Sequence, residues 1–181
     1  MPPEPWKTRQ SREVYRNPWI RVREDIAELP NGRTTLYGVC ELGRAVGILP
    51  FVTPDAVVMV RQYRYVQQEN SRWEMPTGGV HRDEPLEAAA QRELREEVGY
   101  QAGRLTWIST FYSSKSVCDE TAHLYLAHDL TAVTAVPDET EFLEVAVLPF
   151  AEVLRQVQTS AIRDAMTVIA VLHAARLRDG G

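Results

Sequence analysis

The stretch GGVHRDEPLEAAAQRELREEVGY, residues 78–100, decides how the rest of the chain is read. It opens on the pair Gly78-Gly79. Pro85 then stands where a first helical turn would begin, a place where the missing N–H of proline costs nothing. Good helix formers run from Leu86 to Val98, and Gly99 is placed to close them with a left-handed cap. The spacing predicts a helix over 86–98. At about 100° per residue, Leu86, Ala90, Leu94 and Val98 form an apolar stripe, while Glu93, Glu96 and Glu97 share about 100° of arc. Glu97 projects into the stripe and Glu93 borders it. Burying an unpaired carboxylate is costly, so a helix that only packs would not carry acids there. Two readings stay open at this point. Three carboxylates on one edge of a core-facing helix suit a hard divalent cation, Mg²⁺ or Mn²⁺. Alternatively, the acids form a solvated face paired with Arg92 and Arg95.

Composition narrows the remaining classes. A chain of 181 residues with 44% hydrophobic content can bury a sizeable core in one domain, with room for a short extra element. The net charge of −5 argues against non-specific nucleic-acid binding. Cys40 and Cys118 have neither metal nor redox spacing and read as reduced thiols of a cytoplasmic protein. MPPEPWKTRQ has no apolar core of a signal peptide, and no apolar run approaches the roughly 18 residues of a membrane span.

Outward from the helix, alternation and turn residues predict strands over 11–15, 19–25 and 34–42, the last two joined at Pro30-Asn31-Gly32-Arg33. Continuous apolar runs predict buried strands over 45–51 and 55–62. Arg61-Gln62-Tyr63-Arg64-Tyr65 leads into a polar loop, and Trp73-Glu74-Met75-Pro76-Thr77 leads into the helix segment. Further strands are expected over 104–112, 120–130 and 144–148, and helices over 150–158 and 161–178. On the last helix, Ile162, Met166, Ile169, Ala170, His173 and Leu177 form the expected apolar face. A helix set among groups of strands favours a mixed sheet between helices over a regular parallel repeat.

The central segment resembles the Nudix box: Gly, five residues, Glu, seven residues, then Arg-Glu-aliphatic-any-Glu-Glu-any-Gly-aliphatic. Gly78, Glu84, Arg92, Glu93, Leu94, Glu96, Glu97 and Gly99 match it, and Tyr100 replaces the final aliphatic residue. Seven fixed identities at roughly one in fifteen give a chance of about 10⁻⁸ per window. The flanks, including Cys118-Asp119-Glu120 and Pro137-Asp138-Glu139-Thr140-Glu141, resemble the ADP-ribose and nucleoside-diphosphate-sugar pyrophosphatases of that superfamily. The resemblance implies an α/β/α sandwich with a mixed sheet over 44–181, preceded by an N-terminal antiparallel sheet over 1–43 that mediates dimerisation. Exposed apolar residues of those strands, such as Trp19, Ile20 and Leu36, point to a homodimer as well.

It also implies a site. Glu93, Glu96 and Glu97, with the carbonyl of Thr77, would hold Mg²⁺ or Mn²⁺, and Arg92 would orient a glutamate. Arg64 would contact the diphosphate of a nucleoside diphosphate sugar, with Glu74 and Glu120 shaping the substrate site. Glu139 would be the general base, and Glu141 its support or an extra metal contact. Members specialised for ADP-ribose tend to carry a proline about sixteen residues beyond the box, and residues 110–120 contain none. Other substrates therefore stay open: GDP-mannose, dinucleoside polyphosphates or a nucleotide cofactor. So does a Nudix-fold sensor that binds without cleaving. Trp6 and Trp19 are candidates for stacking on a base or for packing at a dimer interface. His81 matches no ligand position of the family, and His123 and His173, set in apolar segments, read as core or surface histidines.

Overall fold

The computed structural model describes residues 4–70, 72–135 and 142–180. The chain divides into two compact units, one of residues 1–43 with 112–121 and one of residues 44–111 with 122–181.

The first unit is built on an antiparallel sheet of β1 (Lys7–Arg16), β2 (Arg21–Glu28) and β3 (Thr34–Glu41), in that order. Register runs from Lys7↔Glu28 to Arg16↔Arg21 and from Arg21↔Glu41 to Glu28↔Thr34. Opposite charges face each other across the strands. Arg12 meets Glu24 at 2.9 Å, and Arg21 spans Glu13 at 2.9 Å and Glu41 at 2.8 Å. Such exposed pairs set register more than they stabilise. At the turn, Gly32 takes φ 78° and the Asn31 side chain accepts the Arg33 amide, so only the glycine of the Asn-Gly pair is left-handed. Every residue of β1 is exposed, as are Trp19 and Leu36. Cys40 and Cys118, isolated in sequence, are partners in a parallel bridge.

The second unit carries the main sheet. Its strands are β4 (Arg44–Thr53), β5 (Ala56–Arg61), β9 (Tyr100–Tyr112), β10 (Thr121–Ala132) and β11 (Glu144–Pro149), ordered β11-β5-β4-β10-β9. A short strand β8 (Thr77–Gly79) pairs with β4. Alternation along the strands divides the core in two. Leu49, Phe51, Val57, Met59, Leu124 and Leu126 face the helices α2 (Phe150–Gln158) and α3 (Ala165–Asp179). Val46, Ile48, Val58, Val60, Tyr125 and Ala127 face α1 (Leu86–Val98). The result is the expected α/β/α arrangement with a mixed sheet.

α1 has the predicted bounds. Pro85 is its N-cap, with ψ 143°, rather than its first helical residue. Gly99 closes it at φ 68° and ψ 35°, donating its N–H to the Arg95 and Leu94 carbonyls. Burying Leu94 completely contributes roughly 2 kcal/mol.

Two expectations are corrected. The polar loop after β5 folds back as a small hairpin, β6 (Tyr63–Arg64) with β7 (Glu69–Asn70). The last helix starts at Ala165, because the amides of Ala161 and Ile162 are taken by the Gln156 carbonyl at the end of α2. Its buried face is Thr167, Ala170, Val171 and Ala174, while Leu177 is exposed. Small residues let this helix pack close to the sheet, so the large ones are not the guide to its inner side.

Candidate active site

Periodicity on α1 places Glu93 and Glu97 on the face turned to the sheet, where they are 6% and 7% exposed. The face is therefore not solvated at these two positions. Glu96 stands at its margin, and Arg95 points to solvent. Arg92 holds the group together. Its Nε donates to Glu84 Oε1 at 3.0 Å, and its Nη2 donates to Glu84 Oε2 at 3.1 Å and to the Gly79 carbonyl at 2.8 Å. Its Nη1 donates to Glu93 at 2.6 Å and to Glu96 at 3.0 Å. The fork of Arg92 holds the Glu84 carboxyl at about 2, well below its usual range; the His81 amide also donates to it. In return, hydrogen bonding to Glu84 first, then the charge of Glu93, raises the Arg92 guanidinium above its ordinary value.

Gly78 completes the arrangement. A β-carbon there would stand 2.0 Å from Glu93 Oε1 and 2.1 Å from its Cδ. The glycine leaves room for the Glu93 carboxylate, which lies where that β-carbon would stand.

Among the described residues, no three His, Cys, Asp or Glu side chains form a ready-made ion cage. The positive place between Glu84, Glu93 and Glu96 is taken by Arg92. The donors themselves fit a hard divalent ion: they are carboxylate oxygens, two of them from buried side chains, with a backbone edge at Thr77-Gly78 beside Glu93.

The segment leading to that edge is pinned residue by residue. Glu74 exchanges both backbone hydrogen bonds with Val60 of β5, each 2.8 Å. The Met75 amide donates to the Thr167 hydroxyl at 3.0 Å. The Pro76 carbonyl accepts from Ile48, and Thr77–Gly79 pair with β4 through Gly47↔Thr77, Val46↔Gly78 and Ala45↔Gly79. The segment thus passes from β5 to β4. On its side toward β6, the buried Glu74 carboxylate binds Arg64, with Nε to Oε2 at 3.0 Å and Nη2 closing the fork. Burial depresses the Arg64 guanidinium, but the Glu74 hydrogen bond and the charges of Glu74, Asp164 and Glu97 outweigh it, so the net shift is upward. Arg64 and Glu74 border a cavity of 530 Å³ that Arg72, Trp73, Arg163 and Asp164 also line.

The structure brings together Arg92, Glu93, Glu96, Glu97 and the Thr77-Gly78 edge, and Glu74, the partner of Arg64 on β6, stands on the same pinned segment. Glu120 belongs to the first unit, where its carbonyl accepts the Ser113 amide at 3.4 Å. Glu139 and Glu141 lie outside the described residues. Sequence reasoning gave Glu84 no role beyond its match, although its eight-residue distance from Arg92 was visible. It missed Thr167 and Asp164 entirely, since nothing local marks a contact across 92 positions.

Comparison with known proteins agrees with this geometry. Residues 41–167 match the NUDIX domain, and residues 6–40 match the nucleoside diphosphate sugar hydrolase N-terminal domain. The chain is 34% identical over 169 residues to a methanol dehydrogenase activator of Bacillus methanolicus, covering 92% of this chain and 91% of that protein. It is 32% identical over 169 residues to an ADP-ribose pyrophosphatase of Bacillus subtilis (strain 168), with the same coverage. The crystal structure of an ADP compounds hydrolase superposes with a TM-score of 0.87 over 99% of this chain and 97% of the other, at 23% identity, a likeness of fold. With its box segment folded around the Arg92–Glu84 clamp and most of its length matched, the chain belongs to the NUDIX domain family and is a Nudix hydrolase.

Proposed function

We propose that this hydrolase uses Mg²⁺ to cleave the diphosphate of ADP-ribose or a related nucleoside diphosphate sugar, yielding a nucleoside monophosphate and a sugar phosphate. The observation that carries this reading is the pair of buried carboxylates, Glu93 and Glu97, on a helix whose neighbouring arginine is clamped by Glu84. Relatives named for ADP-ribose hydrolysis support the substrate class.

Glu93, Glu96, Glu97 and the Thr77 carbonyl would hold the ion. When bound, it supplies positive charge against the diphosphate oxygens and lowers the pKa of an attacking water. The other roles fall to the chain. Arg92 fixes Glu93 and Glu96 in place and keeps Glu84 ionised. Arg64, steadied by Glu74, presents a planar donor fork to the diphosphate. Glu120 adds a substrate contact. Glu139 takes a proton from the attacking water as the diphosphate opens, and Glu141 supports it. The exposed strands of the first unit suit pairing with a second copy, so the working form on this reading is a homodimer, set in the cytoplasm.

A phosphatase-coupled assay tests the proposal. The substrates carry no terminal phosphate, whereas both products do, so free phosphate appears only after cleavage. ADP-ribose, other nucleoside diphosphate sugars and dinucleoside polyphosphates are compared with Mg²⁺ and with chelator. The expected result is Mg²⁺-dependent release from ADP-ribose or a related sugar. Release from none of them, with ligand still bound, would establish a sensor instead.

A further inference from the structure

The pinned segment 74–79 has one weak point. Its anchors are backbone groups at Glu74, Pro76, Thr77, Gly78 and Gly79, which side-chain substitutions other than to proline leave in place. Met75 lies where the segment has left β5 and not yet reached β4, so neither strand offers its amide an acceptor. That amide is met by a side chain, the hydroxyl of Thr167, 3.0 Å away on α3. Thr167 is fully buried, and its hydroxyl donates onward to Asp164 Oδ2 at 2.7 Å. The same oxygen accepts the Thr167 amide at 2.7 Å as the N-cap of α3, so the acceptor is fixed by the helix start itself.

The Met75 side chain is held just as closely. Its Cε would meet a β-carbon on Gly47 at 2.3 Å, so it lies directly over the β4 backbone. Met75 is thus clamped between α3 and β4, with Glu74 on one side and Pro76-Thr77 on the other. A shift here moves the Arg64 partner and the Thr77 carbonyl together.

We propose that Thr167 is a positioning residue for the hydrolytic site: its hydroxyl fixes the Met75 amide and thereby the placement of Glu74 and Thr77. Thr167 acts through the backbone of segment 74–79 and not by touching substrate or ion. The inference rests on the function proposed above.

Thr167→Val keeps the side-chain shape and removes the hydroxyl, while Thr167→Ser keeps the hydroxyl. With ADP-ribose as substrate, Thr167→Val lowers kcat about 10- to 100-fold with a smaller change in KM, and Thr167→Ser stays within about threefold of wild type. Thr167→Val also raises the Mg²⁺ concentration for half-maximal rate. Two readouts need no substrate. The Met75 amide exchanges hydrogen faster in Thr167→Val than in Thr167→Ser, and the Mg²⁺-induced rise in melting temperature shrinks only in Thr167→Val. Should Thr167→Val not fold, Thr167→Ala replaces it, because it leaves room for a water at the Met75 amide. The proposal is overturned if the hydroxyl-free variant melts lower but keeps wild-type kcat, Mg²⁺ response and KM, or if Thr167→Ser is equally impaired. If wild type does not cleave ADP-ribose, the functional reading falls by itself, and the exchange and Mg²⁺ melting comparisons still decide the role of Thr167.

Discussion

The carboxylate of Glu93 occupies the space that a side chain on Gly78 would need, 2.0 Å from the place of its β-carbon. The conflict is with the far end of a flexible side chain, so Gly78→Ala is expected to fold. The cost falls on the site instead, because Glu93 must swing away from Thr77-Gly78. Hydrolysis drops about 10²-fold while the metal-free melting temperature changes little. Parallel melts and rate measurements check this, and a large loss of stability with normal turnover per folded molecule would count against it.

Glu84 has its carboxyl held at about 2 by Arg92, below the ordinary 4.5. A depressed folded pKa contributes stability that is fully present above about pH 4.5 and lost as pH falls toward 2. Glu84→Gln is therefore less stable than wild type at neutral pH, and the gap narrows across that acid window. Urea unfolding at pH 7, 4 and 2.5 reads it directly. A gap independent of pH would mean that the ion pair with Arg92 is not the source of the difference.

What could be read from the sequence was what is local. α1 declared itself through its periodicity and its glycine cap, so the burial of Glu93 and Glu97 followed from counting residues. The strands around 46–60 were equally plain, since continuous apolar runs have few other uses. The start of α3 was not, because Ala161 and Ile162 look helical until the Gln156 carbonyl captures their amides. Nor was the Arg64–Glu74 pair, which depends on the β6–β7 hairpin turning the guanidinium back. The bridge between Cys40 and Cys118 joins segments far apart in the chain and leaves no mark in the spacing of either cysteine.

The general base is the next point of test. Glu139→Gln is expected to lower turnover about 10²- to 10⁴-fold with metal affinity nearly unchanged, and Glu141→Gln to cost less. Steady-state rates and Mg²⁺ titrations of both variants give the ranking. A reversed order would move the base to Glu141, and no effect from either would return it to the box helix.

The first unit exposes Trp19 at 80% and Leu36 at 59%, beside a fully exposed β1. Sedimentation of the full chain at micromolar concentration is expected to show a dimer. Charges placed on that surface, as in the double variant Trp19→Glu with Leu36→Glu, should shift it to monomer. A wild-type monomer under the same conditions would remove the homodimer from the account.

Glu97 is a carboxylate only 7% exposed on the inner face of α1, and under the proposed function it holds the cation. Thermal melts of wild type and Glu97→Gln, with Mg²⁺ and with chelator, test this most directly. Mg²⁺ should raise the wild-type melting temperature by mass action and raise that of Glu97→Gln far less. ADP-ribose hydrolysis by the variant should fall with it. A Glu97→Gln protein that keeps the full Mg²⁺ shift and the full rate would contradict the account.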